Sequence, residues 1–330
     1  MKLLLAPDKF RGTLTAQEAA RVLGERFTDL GHEVRELPLA DGGEGTLEAL
    51  GGANRTDVVE GPLGDPVEAG WRLRRGKAVI EMAAASGIAL VGGAEGNHAA
   101  DATSKGTGQL IHKAIDLGAK EIVVGVGGSA STDGGSGAVM ALEPAKMTTI
   151  GVSITVACDV RIPFLDAAAI FAPQKGATEA QVELLARRLR KLRHSYEAEY
   201  EVDVNEIEGS GAGGGFAGGM AAIGADLVGG FDLIVEALRF DEHLDWADAV
   251  VTGEGILDAE SFDGKTVGGI QEMANELDTP VVAVVGDYFD GTETRIPAIS
   301  LVETYGEAVA LDDAARCLRD SAESILELLG

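Results

Sequence analysis

The chain has 330 residues, enough for two domains that each bury a core of their own. Apolar residues make up 45%, charged residues 25% and aromatics 5%, an aliphatic balance that fits compact α/β domains and excludes a disordered chain. With 54 acidic against 27 basic side chains the formal charge is -27, which repels nucleic acid and anionic lipid and removes both from the expected partners.

The N-terminus, MKLLLAPDKF, carries too short an apolar run for a signal sequence, and no stretch reaches membrane-spanning length. Two cysteines, Cys158 and Cys317, cannot make a four-cysteine zinc site and show no redox-pair spacing, so a reducing, cytoplasmic setting is expected. KLLLAPD reads as a buried strand that delivers Asp8 and Lys9 into a loop. TAQEAARVLGERFTDLG follows as a helix with Thr15 as N-cap, and EVRELPLADGGEGT as a strand plus a second glycine and acid loop, bearing Asp41 and Glu44. Functional groups after each strand are the α/β pattern in which ligands collect at the strands' carboxyl ends.

From Thr56 to Met82 the texture changes to short alternating runs split by PLGDP and RRGK, which predict antiparallel strands with tight turns. A helix over ATSKGTGQLIHKAIDLG leads into the strand EIVVGVGG, VSITVACD is a further strand ending at Asp159, and EAQVELLARRLRKLRH is a helix with a solvated basic face. GSGAGGGFAGGMAAIGADL reads as a glycine loop entering a helix, whose N-terminus would suit an anion. ADAVVTGEG, PVVAVVG and AISLVE are strand-like runs spaced by helix-length segments, similar in texture to the N-terminal strands. One sheet built from both ends of the chain is therefore expected, with the antiparallel region inserted between them.

The segment GVGGSASTDGGSGA, 125 to 138, is the densest chemical signal. Gly127, Gly128 and their neighbours let the backbone approach a ligand, while Ser129, Ser131, Thr132 and Asp133 can donate to phosphate or help hold a metal ion. Taken alone, such a stretch is a tight turn. SFDGKT is not a P-loop, because Ala259 stands where that motif needs glycine, and Gly209, Gly211 and Gly214 follow the poor strand VDVNEIE, which argues against a dinucleotide fingerprint. The five histidines lie outside every such loop. Carboxylates combined with lysines and glycine amides instead fit phosphoryl transfer, which consists largely of placing Mg2+, neutralising charge and aligning a hydroxyl.

PDKFRGTLTA, LADGGEGT, VIEMAAASG, GTGQLI, GGSASTDGGSG, VACDV, FAPQKGAT and TGEGILDAESFDGK occur in this order from residue 7 to 265, and together they resemble the bacterial type I glycerate kinase family. The resemblance implies two α/β domains, one flavodoxin-like with a parallel sheet and one of mixed α/β fold, with the active site in the cleft between them. The boundaries then expected are 1–55 with 245–330 for the discontinuous flavodoxin-like domain and 56–244 for the inserted one. It implies a phosphotransferase that uses ATP and Mg2+ on D-glycerate, with the 2-hydroxyl as acceptor and 2-phosphoglycerate as product, in a monomer or homodimer. Asp8, Lys9, Asp41, Asp133 and Lys265 become the catalytic candidates, the acids for base duty and the lysines for phosphate or the substrate carboxylate. Asp41, Asp133, Asp159 and Glu254 become the metal candidates. Gly127, Gly128, Ser129, Gly211, Gly213, Gly214, Gly253 and Gly255 become the candidates for cradling the nucleotide.

Two departures stand against the family pattern. Only EPAKMTTIGVSIT separates GSGAVMAL from VACDV, a shortened segment, and RIPFLDAAAI replaces the usual asparagine-proline turn after Val160. A kinase of a related hydroxy acid, or a binding protein of the same fold without turnover, are the competing expectations.

Overall fold

The computed structural model describes residues 1–10, 12–142, 151–262, 265–289, 291–292 and 295–330. The shortened segment at 143–150, and Asp263 and Gly264 of the last motif, lie outside the described residues. The chain divides into two compact units, one comprising Met1–Asp41, Glu48–Leu50 and Phe231–Gly330, the other Gly42–Leu47 and Gly51–Gly230.

The sheet of the first unit joins β1 (Lys2–Pro7) and β2 (Glu33–Glu36) to β9 (Ala249–Leu257), β10 (Val281–Tyr288) and β11 (Ala298–Ser300), all parallel, in the order β11-β10-β9-β1-β2. Counted within the unit this is 2-1-3-4-5, the flavodoxin-like order, whose switch point lies between β1 and β9. The central strands are apolar runs because both faces are covered. Leu3 and Leu5 of β1 pack with Ala19, Leu23 and Phe27 of the helix Ala16–Asp29, while Leu4 and Ala6 face Val267, Ile270 and Ala274 of the helix Thr266–Glu276. Thr15 caps the first helix in a reciprocal capping box with Glu18.

The sheet of the second unit runs β3 (Arg55–Glu60), β4 (Pro66–Arg74), β5 (Lys77–Glu81), β6 (Glu121–Gly125), β7 (Ser153–Ala157) and β8 (Asp226–Val228). β3, β4 and β5 pair antiparallel, as the PLGDP and RRGK turns require, and β5 to β8 are parallel, so the sheet is mixed. Fully buried Trp71, Ile80, Leu110, Val124 and Phe216 belong to its main core. The fold is thus two α/β layers of the expected classes, one purely parallel and one mixed.

Two local expectations need correction. AISLVE is strand only through Ser300, whose hydroxyl accepts from Glu303 N and starts the helix Leu301–Tyr305, so the cap overrides the β-branched run. The glycine stretch 209–227 ends in a strand, β8, that its pattern does not predict, because three residues at a sheet edge carry too little pattern to separate from the preceding alanine-rich helix. Among the described residues no helix is long and apolar enough to cross a membrane.

Candidate active site

Five of the proposed residues meet at the carboxyl edge of the parallel sheet. β1 ends at Pro7 and its ladder with β9 persists to Gly253, where Asp8 N donates to Gly253 O at 2.8 Å. That register sets Asp8 and Glu254 on either side of the switch point. Gly253 is required there, since a Cβ would lie 2.0 Å from Val284 O on β10. Asp8, Lys9, Asp41, Glu254 and Lys265 line one cavity of about 560 Å3, along with Gly255.

The electrostatics of this cavity are strained. Asp8 is buried, and burial pushes its carboxyl above the usual range, with Lys9 opposing and Asp41 adding to the shift. Its Oδ1 accepts from Lys9 N at 2.6 Å and its Oδ2 from Thr266 Oγ1 at 3.1 Å. Lys9 Nζ lies 3.7 Å from Asp8 Oδ1 and 3.4 Å from Asp41 Oδ1, bridging the two acids. Burial raises Glu254 to about 7, helped by the charges of Asp8 and Asp258 and opposed by Ser261 and Lys265. Glu254 Oε1 is buried without a hydrogen-bond partner among the described residues. Lys265 is half-buried; burial works against its charge, yet Glu260, Asp41 and Asp258 outweigh it and its pKa rises. Its Nζ contacts Glu260 Oε2 at 3.2 Å.

The other proposed residues lie in the second unit. The loop that follows β6 carries Gly127, Gly128, Ser129 and Asp133, but Asp133 directs its oxygens inward. Oδ2 accepts from Ser104 N at 2.8 Å, Ser104 Oγ at 2.9 Å, Thr103 Oγ1 at 3.3 Å and Gly137 N at 3.2 Å, and Oδ1 from Gly135 N at 3.1 Å. Gly213 and Gly214 pack behind this loop, where Gly214 O accepts from Gly134 N at 3.0 Å, while Gly211 packs on Ile162 and Pro163 and its N donates to Ile162 O at 2.8 Å. A Cβ on Gly214, at φ +71°, would lie 2.2 Å from Ser131 O and 3.0 Å from Lys175 Nζ. The stretch before these glycines is a 3-10 turn, Val204–Glu206, as the rejection of the dinucleotide fingerprint expects. Asp159 follows β7, and its Oδ1 accepts from Gly230 N at 2.7 Å.

Sequence reasoning passed over three residues that shape these loops. Lys175 is buried, and its Nζ donates to Ser129 Oγ at 2.7 Å and Ser131 O at 2.6 Å. Burial lowers it to about 7, with Asp133 partly restoring the charge. Asn97 Nδ2 donates to Ala130 O at 3.0 Å and Lys175 O at 2.8 Å, tying both segments together. Glu81 Oε1 accepts from Gly45 N at 2.9 Å and Leu47 N at 2.8 Å, and so holds the DGGEGT loop from below. The available signal was that FAPQKGAT and VIEMAAASG each place one charge amid apolar and small residues.

Among the described residues no three His, Cys, Asp or Glu side chains converge as a metal-ligand set. Mg2+ does not need one, because it is commonly held by one or two carboxylates with substrate phosphates and water. Glu254, with an unpartnered buried oxygen, together with Asp41 on the same cavity, fits that sparse demand.

A sheet of flavodoxin-like order with acids and lysines at its switch point defines a class of α/β protein that binds a charged ligand at the strand ends. The sequence matches the model of the glycerate kinase family over residues 3–149 and 142–330, two stretches that overlap at the departure from the family pattern. It is 35% identical to glycerate 2-kinase of Escherichia coli over 98% of each chain, and 38% identical to glycerate kinase of Halalkalibacterium halodurans over 98% of this chain and 95% of that one. A solved structure from Salmonella typhimurium, provisionally named glycerate kinase 2, superposes with a TM-score of 0.81 at 32% identity, covering 100% of this chain and 98% of the other. The chain belongs to the glycerate kinase family and is an enzyme of the kinase class.

Proposed function

We propose that the protein transfers the γ-phosphate of ATP to the 2-hydroxyl of D-glycerate, giving ADP and 2-phosphoglycerate. The observation that carries this reading is the convergence of Asp8, Lys9, Asp41, Glu254 and Lys265 on one cavity at the switch point, in a chain similar to named glycerate 2-kinases. A new bond forms between the acceptor oxygen and the γ-phosphorus while the bond from that phosphorus to the β–γ bridging oxygen breaks.

Asp8 is suited to receive the hydroxyl proton. Its raised pKa brings a carboxylate nearer to neutral pH, and Lys9 N and Thr266 Oγ1 fix its orientation. Lys9 and Lys265 supply positive charge for phosphoryl oxygens or for the glycerate carboxylate. Glu254 and Asp41 would hold Mg2+, which when bound neutralises phosphate charge. Asp133, Lys175 and Asn97 act on the glycine loop, keeping its backbone in one shape.

The test is ADP release by the purified protein from Mg-ATP with D-glycerate, L-glycerate or no acceptor, with the phosphorylated product identified by NMR. ADP release that depends on D-glycerate and yields 2-phosphoglycerate is expected. Turnover with another hydroxy acid alone would replace the acceptor, and nucleotide binding without any acceptor-dependent turnover would remove the transfer reaction.

A further inference from the structure

The cavity of the first unit changes character across its sheet. Asp41 follows β2, Asp8 and Lys9 follow β1 and Glu254 stands within β9, whereas the groups that follow β10 and β11 include Phe289, Leu301, Val302 and Leu311. Acids and lysines crowd the first end, whereas the second mixes these apolar side chains with Asp287 and Glu307. Large side chains in this lining stay in water: Phe289 is 63% exposed and Leu311 58%, and Ile256, 53% exposed, stands on β9 opposite Asp287 of β10. Single exposed apolar residues need no explanation, but three that line one cavity offer apolar surface to a ligand.

The span fits a particular ligand shape. From β1 to β11 there are three strand spacings, about 14 Å. Glycerate is a three-carbon acid and can occupy only the charged end. A nucleoside triphosphate has phosphates at one end, an aromatic base at the other and a sugar between, matching the order of chemistry along the strand ends. The geometry points to Ile256, Phe289 and Leu311 as the surface that receives the base of the nucleoside triphosphate, with its phosphates directed toward Lys9 and Lys265. This rests on the proposed kinase reading, and it assigns the nucleotide base to the parallel sheet of the first unit rather than to the glycine loops of the second. Asp287, whose Oδ1 accepts from Tyr288 N at 2.9 Å, lines the stretch between and offers its carboxylate to sugar hydroxyls.

The experiment is direct nucleotide binding without glycerate, by fluorescence anisotropy of N-methylanthraniloyl-ATP displaced by ATP, on wild type, Phe289→Ala, Leu311→Ser and the control Met140→Ser. Met140 is 73% exposed and does not line this cavity, so its variant controls for loss of an exposed apolar side chain. Contacts to a base are worth about 1–3 kcal/mol, so Phe289→Ala should weaken binding about 5- to 100-fold. Leu311→Ser should weaken it in the same direction, with Met140→Ser at the wild-type value, and the KM for glycerate should stay within twofold in all. Both substituted residues are exposed, and unchanged thermal midpoints would confirm intact folding. Nucleotide affinity unchanged in both cavity variants would overturn the assignment, as would a rise confined to the glycerate KM. Absence of nucleotide binding by wild type would overturn it too. Binding lost in the variants, alongside a wild type that binds ATP without phosphorylating glycerate, would keep the base site and remove only the transfer reaction.

Discussion

Asp8 and Asp133 each lie in a loop reached from a parallel strand, yet their oxygens meet different company. Asp8 accepts two hydrogen bonds, from Lys9 N and Thr266 Oγ1, and faces a cavity shared with Asp41, Glu254 and two lysines. Asp133 accepts at least five, from hydroxyls and backbone amides of its own unit. An ionised carboxylate has about four lone-pair sites, so Asp133 is saturated while Asp8 retains capacity. A loop acid after a parallel strand can therefore have its oxygens taken up by its own unit or left with capacity for a ligand.

The largest effect that would break this contrast is on turnover. Asp8→Asn should lower kcat by about 100- to 10,000-fold, the usual worth of a positioned base. Its thermal midpoint should hold or rise, since the buried charge is what the fold disfavours. Steady-state ADP release and thermal denaturation measure the two, and activity within a few-fold of wild type would take Asp8 out of the chemistry. Asp133→Ala should behave oppositely, with a stability loss of about 3 kcal/mol or more because several backbone donors lose their acceptor. Asp133→Asn, which keeps one acceptor oxygen, should fall between the two in denaturant midpoint.

The same contrast explains what could be read without coordinates. The strands KLLLAPD, EIVV and PVVAVV were legible because burial on both faces leaves a bare apolar run, and the helix after Thr15 because its capping box is written in the sequence. Asp8, Lys9 and Asp41 were legible as loop groups because they follow the strands β1 and β2, whereas Glu254, expected in a loop, lies within β9 opposite Val285. What Asp133 does with its oxygens was not legible, since Asp133 and Asp8 both read as loop acids and only hydrogen bonds to Thr103 and Ser104, about thirty residues away, separate them. Lys175 was silent for a related reason: its partners Ser129 and Ser131 are more than forty residues away, a distance no local pattern spans.

Lys175 allows a smaller test. Its folded pKa of about 7 lies below the ordinary value of 10.5, so between those limits the unfolded chain holds a proton that the folded chain has released. The contribution of this lysine to stability must rise with pH from about 7 to about 10.5, by at most about 1.4 kcal/mol per pH unit, and be flat below 7. Lys175→Met should remove that slope, as read from denaturant midpoints at pH 7, 8 and 9. A variant with the wild-type slope would mean that the ammonium stays charged inside its cage.

Glu254, in the other unit, should give a slope of opposite sign at lower pH. Its folded pKa, about 7, stands above the ordinary 4.5, so between these values the folded chain binds the proton that the unfolded chain has lost. Whatever stability this group lends is present below pH 4.5 and disappears as pH rises through 7. Glu254→Gln should flatten that decline, and because burial also raises the Asp8 carboxyl, which adds a decline of the same sign, the flattening should be partial rather than complete. Midpoints at pH 5, 6 and 7 would show it as a difference between wild type and variant that grows with pH. A constant difference would mean that Glu254 is already ionised across this range, with its unpartnered oxygen satisfied by solvent, and would weaken its case as a carboxylate held in reserve for a cation.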